Sequence, residues 1–446
     1  MDPGAVFKAY DIRGRTDTGE LDEKLYELVG SALVELLEAP RIAVGRDVRP
    51  SSPGFFEALT KGITEAGSDV VDIGEVPTDA VYYFSGARSV PGAMITASHN
   101  PPTYNGLKLC GAGAVPIGAD TGLAAIREEV EAGVKLTADE PGSVSRVDIV
   151  DDYVNHLLNT TGAEKIGNLR VAVDAGNGMA GVALEKVFDR IDAELEGLYL
   201  EPDGTSPNHP ADPMVPENLA DLTGLVAQGE FDLGVAFDGD ADRAFFLDDQ
   251  AQALSGSTVT CLIARSLLAD HPGSAVVHNL ITSRAVPEIV TEAGGTPVRT
   301  RVGHSYIKQV MAETDAVFGG EHSGHYYFRD NFRADSGMMA MLVLMRVLTE
   351  SGLPMSQLRK EVERYAASGE INFEVADQIA AMAEVEAEFP DAEIDHLDGL
   401  TLDLGDSWLN VRPSNTEPLL RLNVEARTAE RVEELVSKVR RTLEVN

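Results

Sequence analysis

Cysteine is nearly absent from this chain, with two residues, Cys110 and Cys261, among 446. Two widely separated thiols cannot form a disulfide framework or a cysteine-ligated metal knuckle. We therefore expect both cysteines to be core residues or to lie near a site, and we expect no structural role in cross-linking.

Long apolar runs and targeting signals are also missing. The longest obvious apolar run, Met338–Met345, is far shorter than the roughly 20 residues that a membrane-spanning helix needs. The Met-Asp-Pro-Gly start has neither the basic segment nor the apolar segment of a secretory signal. A hydrophobic fraction of 43% with 24% charged residues is ordinary for globular domains. We expect a folded cytoplasmic protein with no membrane partner.

Positive charge is scarce. The chain has 36 Lys and Arg against 73 Asp and Glu, which gives a net charge of −37, and ten of the 36 are lysine. Such a chain repels polyanions, so nucleic acid is not an expected partner. An acidic, lysine-poor surface suits a salt-adapted cytosol, where screening weakens self-repulsion. This composition favours a halophilic protein over an ordinary acidic enzyme.

Short β-rich runs recur along the chain at Ile42–Gly45, Val171–Asp174 and Ala275–His278. Each is followed by a turn rich in Gly, Ser or Asn and then by a helical pattern, which is typical of α/β units. The recurrence predicts three related α/β domains in tandem.

The final part of the chain has a different pattern. Trp408–Val411 and Leu419–Val424 read as strands, and the closing segment places apolar residues on one helical face. Polar or acidic stretches around residues 131–145, 250–257 and 365–372 are candidate boundaries. We therefore predict α/β domains at 1–148, 149–253 and 254–366 and a smaller α+β domain at 367–446.

Three aspartates follow an apolar run that ends at Phe237. Asp238, Asp240 and Asp242 alternate with small residues, and in an extended backbone side chains two apart point the same way. Converging carboxylates are the ligands that Mg²⁺ prefers. A calcium loop is set aside because Arg243 stands where that loop needs glycine. A solvated acidic turn remains the alternative to a metal site.

A second polar turn follows the strand-like run that ends at Ile95. It carries Ser98, His99 and two prolines, and Lys108 lies ten residues beyond the serine. The prolines would hold a hydroxyl, an imidazole and an amine within plausible reach of one another. Because serine is a poor nucleophile alone, the turn could equally be only a turn.

Two further loops carry binding chemistry. Residues 318–325 form a glycine-spaced polar run with Glu321, Ser323 and His325, and its carboxylate and hydroxyl groups suit sugar hydroxyls. A polar loop without a ligand is the equal alternative. The second loop has arginines beside Ser, Asn and Thr donors, which suits an anionic ligand in an acidic protein. Its residues are Arg412, Ser414, Asn415, Thr416 and Arg421.

One glycine motif points elsewhere. Gly176–Gly181 matches G-x-G-x-x-G after a strand, and Glu196 lies about twenty residues on, as a dinucleotide-binding oxidoreductase would require. The alternative is a tight strand-to-helix turn. An oxidoreductase would also leave the aspartate and arginine loops without a role. A nucleotide-triphosphate P-loop is excluded because the chain has no Gly-Lys dipeptide.

Taken in order, the four loops and the Tyr-Asp-Ile-Arg-Gly run at residues 10–14 resemble the α-D-phosphohexomutase superfamily over the whole chain. The resemblance implies four domains with mixed sheets around a central cleft. It implies an enzyme that interconverts hexose 1-phosphate and hexose 6-phosphate through a phosphoserine and a bisphosphate intermediate. Mg²⁺ would be the cofactor and a hexose bisphosphate the activator, and the protein would be a monomer or a dimer.

The resemblance also implies roles for individual residues. Ser98 would carry the phosphoryl group and contribute a metal ligand beside Asp238, Asp240 and Asp242. Substrate binding would fall to the residues of the third and fourth loops together with His304. The remaining catalytic residues would be His99, Lys108, Arg13 and Arg243.

His99 and Lys108 are the expected proton-transfer groups in this scheme. Lys108 would need a depressed pKa, which burial and nearby arginines could supply.

The residues 104–108 and 320–325 look most like the phosphomannomutase/phosphoglucomutase branch. One departure is the absence of lysine at residues 279–283, where the compared bacterial enzymes carry one. The choice between mannose and glucose therefore stays open, with a phosphoglucosamine mutase as the alternative. A sugar-phosphate-binding paralogue and a metal-dependent phosphatase are less consistent with four intact loops.

Overall fold

The structure is a computed structural model that describes residues 3–133, 135–413 and 419–443. The chain divides into two compact units. The first unit comprises Met1–Val259 and Ser323–Leu358, and the second comprises Thr260–His322 and Arg359–Asn446.

Helices and strands alternate through most of the described chain. The helices are α1 Pro3–Val6, α2 Glu23–Leu37, α3 Ser52–Glu65, α4 Thr78–Arg88, α5 Leu123–Ala132, α6 Val150–Thr161, α7 Gly181–Phe188, α8 Ala220–Gln228, α9 Gly256–Asp270, α10 Ala285–Glu292, α11 His304–Thr314, α12 Gly337–Ser351, α13 Met355–Val362, α14 Gln378–Ala387 and α15 Ala429–Leu443. The strands are β1 Ile12–Arg15, β2 Arg41–Arg46, β3 Asp69–Glu75, β4 Gly92–Ile95, β5 Tyr104–Gly111, β6 Val115–Pro116, β7 Val144–Arg146, β8 Gly167–Asp174, β9 Asp192–Leu198, β10 Leu233–Phe237, β11 Ala244–Leu247, β12 Ala253–Leu254, β13 Ala275–Asn279, β14 Thr296–Thr300, β15 Phe318–Gly320, β16 Tyr326–Phe328, β17 Ala366–Glu374, β18 Glu393–Asp395, β19 Leu400–Asp403, β20 Ser407–Pro413 and β21 Leu419–Ala426.

A three-strand parallel arrangement occurs three times. The strand orders are β3-β2-β4, β9-β8-β10 and β14-β13-β15, so the first strand of each set lies in the middle. The three β-rich runs seen in the sequence are these middle strands, β2, β8 and β13. The predicted repetition of α/β units is confirmed.

The sheets of the first unit are mixed, as expected. An antiparallel strand follows the parallel set in both cases, because β5 pairs with β4 and β11 pairs with β10 in antiparallel register. The first sheet also includes β7, which pairs with β3 and extends that sheet to Arg146. Its core is formed by buried apolar side chains from α2, α3 and the central strands, among them Leu33, Ile42 and Leu59.

The C-terminal part has the predicted α+β character. Its five strands form a sheet in the order β17-β21-β20-β19-β18, with every pairing antiparallel. Helix α15 buries Val432, Leu435, Val439 and Leu443 in the core of this part, which confirms the apolar helical face predicted from sequence.

The repeated topology brings polar loops to equivalent places. The loop after the third strand of each set carries predicted site residues: Ser98 follows β4, Asp238 follows β10 and Glu321 follows β15. Because the first and third strands of each set are parallel neighbours, the loops that follow them meet at the same sheet edge.

Cys110 and Cys261 are both buried, which agrees with the core placement predicted for them. Among the described residues, no single helix is long and apolar enough to cross a membrane. Helices α12 and α13 meet that test only together, as a pair bent by 98°. Helix α12 is itself almost wholly buried in the protein.

Candidate active site

The serine loop directs its hydroxyl at the aspartate loop. Ser98 is 5% exposed, and its Oγ donates a hydrogen bond of 2.8 Å to Asp238 Oδ2. Its backbone is left-handed, with φ of 53°, and its amide donates to Thr96 Oγ1. This unusual conformation also brings Ser98 Oγ within 3.3 Å of His99 Nδ1, although neighbouring side chains on a strand would point apart. Ser98 and Asp238 therefore meet across 140 residues of sequence.

The three aspartates converge as predicted, but the reason given from sequence was wrong. Asp238 to Asp242 form a turn rather than extended backbone, and Ala241 within it is left-handed, with φ of 62°. One carboxylate oxygen from each aspartate lies within 4.8 Å of the others. The turn closes through the Ala241 amide, which donates to the Asp238 carbonyl.

The oxygen ligands that this carboxylate cluster offers fit a hard cation. Asp240 and Asp242 are almost fully buried, and the Oδ1 atom of each accepts no hydrogen bond from the described residues. Buried carboxylate oxygens without donors are costly unless a cation binds them. Oxygen-only ligation of this kind suits Mg²⁺.

Lys108 lies on β5 and compensates part of the negative charge. Its Nζ is 2.7 Å from Asp240 Oδ2 and 2.5 Å from Asp242 Oδ2. Burial disfavours the ammonium form, but the two carboxylates outweigh burial and raise the pKa of Lys108 well above its ordinary value. The depressed pKa expected for Lys108 is therefore wrong for this arrangement, and Lys108 is a cation here.

The carboxylates differ in their protonation behaviour. Burial raises the pKa of Asp238 to about 7, although the Arg243 guanidinium opposes the shift. Burial also disfavours the charged form of Asp242, but the nearby positive charges, with the Lys108 ammonium first among them, together outweigh burial and lower the pKa of Asp242. The groups interact strongly because they share one buried cluster.

Arg243 and His99 form the second half of the site around the serine. Arg243 Nε donates to Asp238 Oδ2 over 2.9 Å, and its Nη2 donates to His99 Nδ1. Burial and the guanidiniums of Arg243 and Arg13 lower the pKa of His99 to about 2, so the imidazole is neutral. Arg13 is held by Asp11 and donates to Asn100 Oδ1 over 2.8 Å.

Two residues of the predicted sugar-binding loop lie beside the aspartates in the first unit. His325 forms an antiparallel bridge with Arg243, and its Nε2 is 3.9 Å from Asp242 Oδ1. The Ser323 hydroxyl is 3.1 Å from His325 Nδ1. The structure thus brings Ser323 and His325 together with the aspartate turn.

The second unit holds the other predicted binding residues. Glu321 accepts hydrogen bonds of 3.2 Å from Asn279 Nδ2 and the Gly303 amide, and His304 begins α11 directly after that glycine. Arg412 is buried at the end of β20, and Arg421 lies opposite it on β21. The predicted residues Ser414, Asn415 and Thr416 lie outside the described part of the chain.

Sequence reasoning missed two residues that bind predicted site residues through polar contacts. Thr78 Oγ1 donates to Asp240 Oδ2 over 2.5 Å, and the Thr78 amide donates to the Asp240 carbonyl. Glu370 lies between the loop arginines, 2.9 Å from Arg412 Nη2 and 3.3 Å from Arg421 Nη1. Neither Thr78 nor Glu370 lies in a recognisable motif, so no sequence signal pointed to them.

The glycine motif at residues 176–181 is a packing element. A Cβ atom on Gly178 would lie 2.7 Å from the Gly239 carbonyl oxygen, and one on Gly181 would lie 1.7 Å from the Leu200 carbonyl oxygen. The Met179 amide also donates to the Gly239 carbonyl. The glycines let this loop lie against the aspartate turn, so the motif gives no support to a dinucleotide site.

Comparison with known proteins agrees with this geometry. Family profiles described as phosphoglucomutase/phosphomannomutase alpha/beta/alpha domains I, II and III and C-terminal domain match residues 4–136, 151–251, 255–365 and 370–442, respectively.

Individual relatives match along almost the whole chain. A protein of Xanthomonas campestris pv. campestris named phosphohexose mutases is 42% identical over 428 residues, which are 95% of each chain. A phosphomannomutase of Salmonella montevideo is 40% identical over 432 residues, 94% of each chain. The crystal structure of a phosphoglucomutase/phosphomannomutase family protein from Burkholderia thailandensis is 31% identical, with a TM-score of 0.91 and coverage of 100% of this chain and 98% of that one. The chain therefore belongs to the phosphoglucomutase/phosphomannomutase family of phosphohexomutase enzymes.

Proposed function

We propose that the protein interconverts hexose 1-phosphates and hexose 6-phosphates of mannose, glucose or both, through a phosphoserine at Ser98. The observation that carries this proposal is the 2.8 Å hydrogen bond from Ser98 Oγ to Asp238 in a buried cluster of three carboxylates. The negative charge of the carboxylates opposes deprotonation of the serine hydroxyl, so an unmodified serine is a poor nucleophile here. As a phosphoserine, the residue would supply an anionic ligand to a bound cation and a group that can be transferred. The relatives' names are consistent with this reaction.

The reaction balances without any further reactant. The phosphoryl group leaves Ser98 Oγ as the P–O bond breaks, and a new P–O bond forms at the free hydroxyl of the hexose monophosphate. That hydroxyl gives up its proton and the Ser98 oxygen takes one up, which restores the serine hydroxyl. The resulting hexose bisphosphate then presents its other phosphate, and that phosphoryl group returns to Ser98. Added hexose bisphosphate activates the enzyme because it phosphorylates Ser98.

Asp238, Asp240, Asp242 and an oxygen at Ser98 would hold Mg²⁺. When bound, the ion would offset the negative charge that the phosphoryl group carries during transfer. Lys108 and Thr78 orient Asp240 through hydrogen bonds of 2.7 and 2.5 Å. These contacts fix the carboxylate before substrate arrives.

Arg243 and Arg13 supply positive charge beside Ser98, and we assign them to stabilising the phosphoryl group. His99 is neutral and accepts from Arg243 at Nδ1, so its ring proton lies on Nε2. This state favours a hydrogen-bonding role for His99 over the proton-transfer role that the resemblance implied. Lys108, as a cation whose pKa is raised, cannot take up a proton and suits charge compensation at the aspartates.

Binding of the sugar and of the other phosphate falls to separate loops in this proposal. Glu321, Ser323, His325 and His304 would bind sugar hydroxyls or the phosphates. Arg412 and Arg421, with Ser414, Asn415 and Thr416, would bind the phosphate that is not reacting, since planar guanidiniums bind phosphate bidentately.

The wider setting of the enzyme is also inferred. We place it in a salt-rich cytoplasm because of its net charge of −37. The domain limits 1–148, 149–253, 254–366 and 367–446 are proposed from composition and sequence. We infer small-molecule sugar phosphates as its partners, with no nucleic acid and no membrane, and a monomer or dimer.

An assay against three sugars tests the function. Purified protein with Mg²⁺ and a trace of glucose 1,6-bisphosphate is given mannose 1-phosphate, glucose 1-phosphate or glucosamine 1-phosphate, and each 6-phosphate product is measured. We expect turnover of mannose or glucose phosphate and none in the Ser98→Ala variant. Turnover of glucosamine phosphate alone would replace the proposal with a phosphoglucosamine mutase.

A further inference from the structure

Arg49 lies in the loop after β2, which is the middle strand of the first parallel set and the neighbour of β4. Arg49 is 8% exposed and pairs with Asp47, so its charge is compensated within the same loop. A buried arginine at the carboxyl end of a strand adjacent to the serine loop is well placed to act on that loop.

Every donor of the Arg49 guanidinium is used. Nε donates to Asp47 Oδ2 over 3.0 Å. Nη1 donates to the carbonyls of Pro101 and Tyr104 over 2.7 and 3.0 Å. Nη2 donates to the carbonyls of Ser98 and Asn100, both over 2.7 Å. Arginine has five N–H donors, so these five acceptors saturate the side chain.

Four of those acceptors are carbonyls of residues 98–104, which comprise the serine loop and the first residue of β5. The loop contains Ser98 in a left-handed conformation, which a non-glycine residue adopts only when its surroundings hold it. The Ser98 amide donates to Thr96 and the Ser98 hydroxyl donates to Asp238, while the Ser98 carbonyl accepts from Arg49. The guanidinium thus ties the start, the middle and the end of the loop to one rigid group.

The same arrangement recurs in the other two parallel sets. In the second set, the glycine loop after β8 contacts the aspartate turn, where the Met179 amide donates to the Gly239 carbonyl. In the third set, Asn279 at the end of β13 donates to Glu321 after β15. In each set, a residue at the end of the first strand or in the loop after it contacts the site loop after the third strand.

We propose that Arg49 is a positioning residue that holds the Ser98 loop in the conformation required for phosphoryl transfer. The inference rests on the proposed phosphoserine function for its kinetic consequences. The holding of the loop itself is a separate, physical statement about residues 98–104.

Arg49→Lys is the informative substitution. Lysine keeps the charge, but its three donors leave from one atom and cannot reach four carbonyls spread along the loop. Arg46→Lys is the matched control, since Arg46 ends the same strand but pairs with Asp72 and stacks over Phe56. Both variants exchange one partly or fully buried arginine for lysine.

Three measurements are made on wild type and both variants: steady-state kinetics, the rate of Ser98 phosphorylation and amide hydrogen exchange. The ligands are glucose 1-phosphate, mannose 1-phosphate and glucose 1,6-bisphosphate. For Arg49→Lys we expect kcat to fall at least tenfold and KM to change less than threefold. The rate at which glucose 1,6-bisphosphate phosphorylates Ser98 should fall by the same factor. The amides of residues 96–105 should exchange hydrogen faster than in wild type. Arg46→Lys should match wild type in all three.

Normal kcat and normal hydrogen exchange in Arg49→Lys would overturn the proposal. So would a lower melting temperature with unchanged kcat, because that result assigns Arg49 to folding alone. Should Arg49→Lys fail to fold, Asp47→Asn loosens Arg49 at Nε and should produce a smaller fall in kcat with faster loop exchange. The absence of both effects in Asp47→Asn would equally contradict the proposal.

Hydrogen exchange separates this inference from the proposed function. If wild type turns over no hexose phosphate, the function fails, yet faster exchange confined to the serine loop of Arg49→Lys still supports the holding role. If wild type is active and the loop of Arg49→Lys exchanges normally, the function stands and the positioning role fails.

Discussion

Thr78→Val removes one hydrogen bond from the carboxylate cluster while nearly preserving side-chain shape. Thr78 and Asp240 are both 0% exposed, and the bond between Thr78 Oγ1 and Asp240 Oδ2 is 2.5 Å long. A hydrogen bond to a charged group contributes about 1.5–3 kcal/mol. Because Lys108 also donates to the same oxygen, that atom keeps one donor, and we expect the lower end, about 1.5 kcal/mol.

At 1.4 kcal/mol per factor of ten, this loss corresponds to a change of about tenfold. We expect a roughly tenfold higher Mg²⁺ concentration for half-maximal turnover, since residues that orient metal ligands typically change affinity by about 10–100-fold. Thr78→Ser keeps the hydroxyl and is the matched control. The assay titrates Mg²⁺ against initial rate for the three proteins, and urea unfolding measures their stability.

The result that would refute this reasoning is a Thr78→Val variant with wild-type Mg²⁺ dependence. A loss of stability alone, with unchanged half-saturation, would show that Thr78 serves the fold and does not orient Asp240. A Thr78→Ser variant as impaired as Thr78→Val would show that the hydroxyl is not the group that matters.

Three other predictions address the arginine loop, a buried carboxyl group and the net charge of the chain. Arg412→Lys should lower kcat/KM in both reaction directions, by an amount that corresponds to about 1.5–3 kcal/mol of transition-state stabilisation, because lysine cannot make the bidentate phosphate contact. A defect in only one direction would contradict this prediction. Burial raises the pKa of Asp79 to about 7, so its stabilising contribution is complete below about pH 4 and is lost as the pH rises through 7. Unfolding of wild type and Asp79→Asn across that range should show wild type losing stability relative to the variant, and parallel curves would argue against the shift. Raising KCl from about 0.1 to 2 M should raise the melting temperature, since salt screens the repulsion within a chain of net charge −37; a flat or falling melting temperature would argue against salt adaptation.

The α/β repetition and the places of the serine, aspartate and Glu321 loops could be predicted because their signals are local. A β-rich run, a polar turn or an apolar helical face is each defined by residues close together in sequence, as in β2, β8 and α15. The site loops follow the third strand of each set, and strand-to-loop order is readable from sequence.

The contacts that order the site could not be predicted because they join distant segments. Thr78 reaches Asp240 across 162 residues, and Ser98 reaches Asp238 across 140. The left-handed Ala241 that turns the aspartates inward carries no glycine signal. The raised pKa of Lys108 likewise depends on Asp240 and Asp242, which come close to Lys108 only in the folded chain.

The most direct test of the phosphoserine is peptide mass spectrometry after incubation with glucose 1,6-bisphosphate and Mg²⁺. We predict one phosphoryl group on Ser98, its loss when hexose 1-phosphate is added in excess, and neither labelling nor turnover in Ser98→Ala. Phosphate on another residue, or full turnover by Ser98→Ala, would contradict the account.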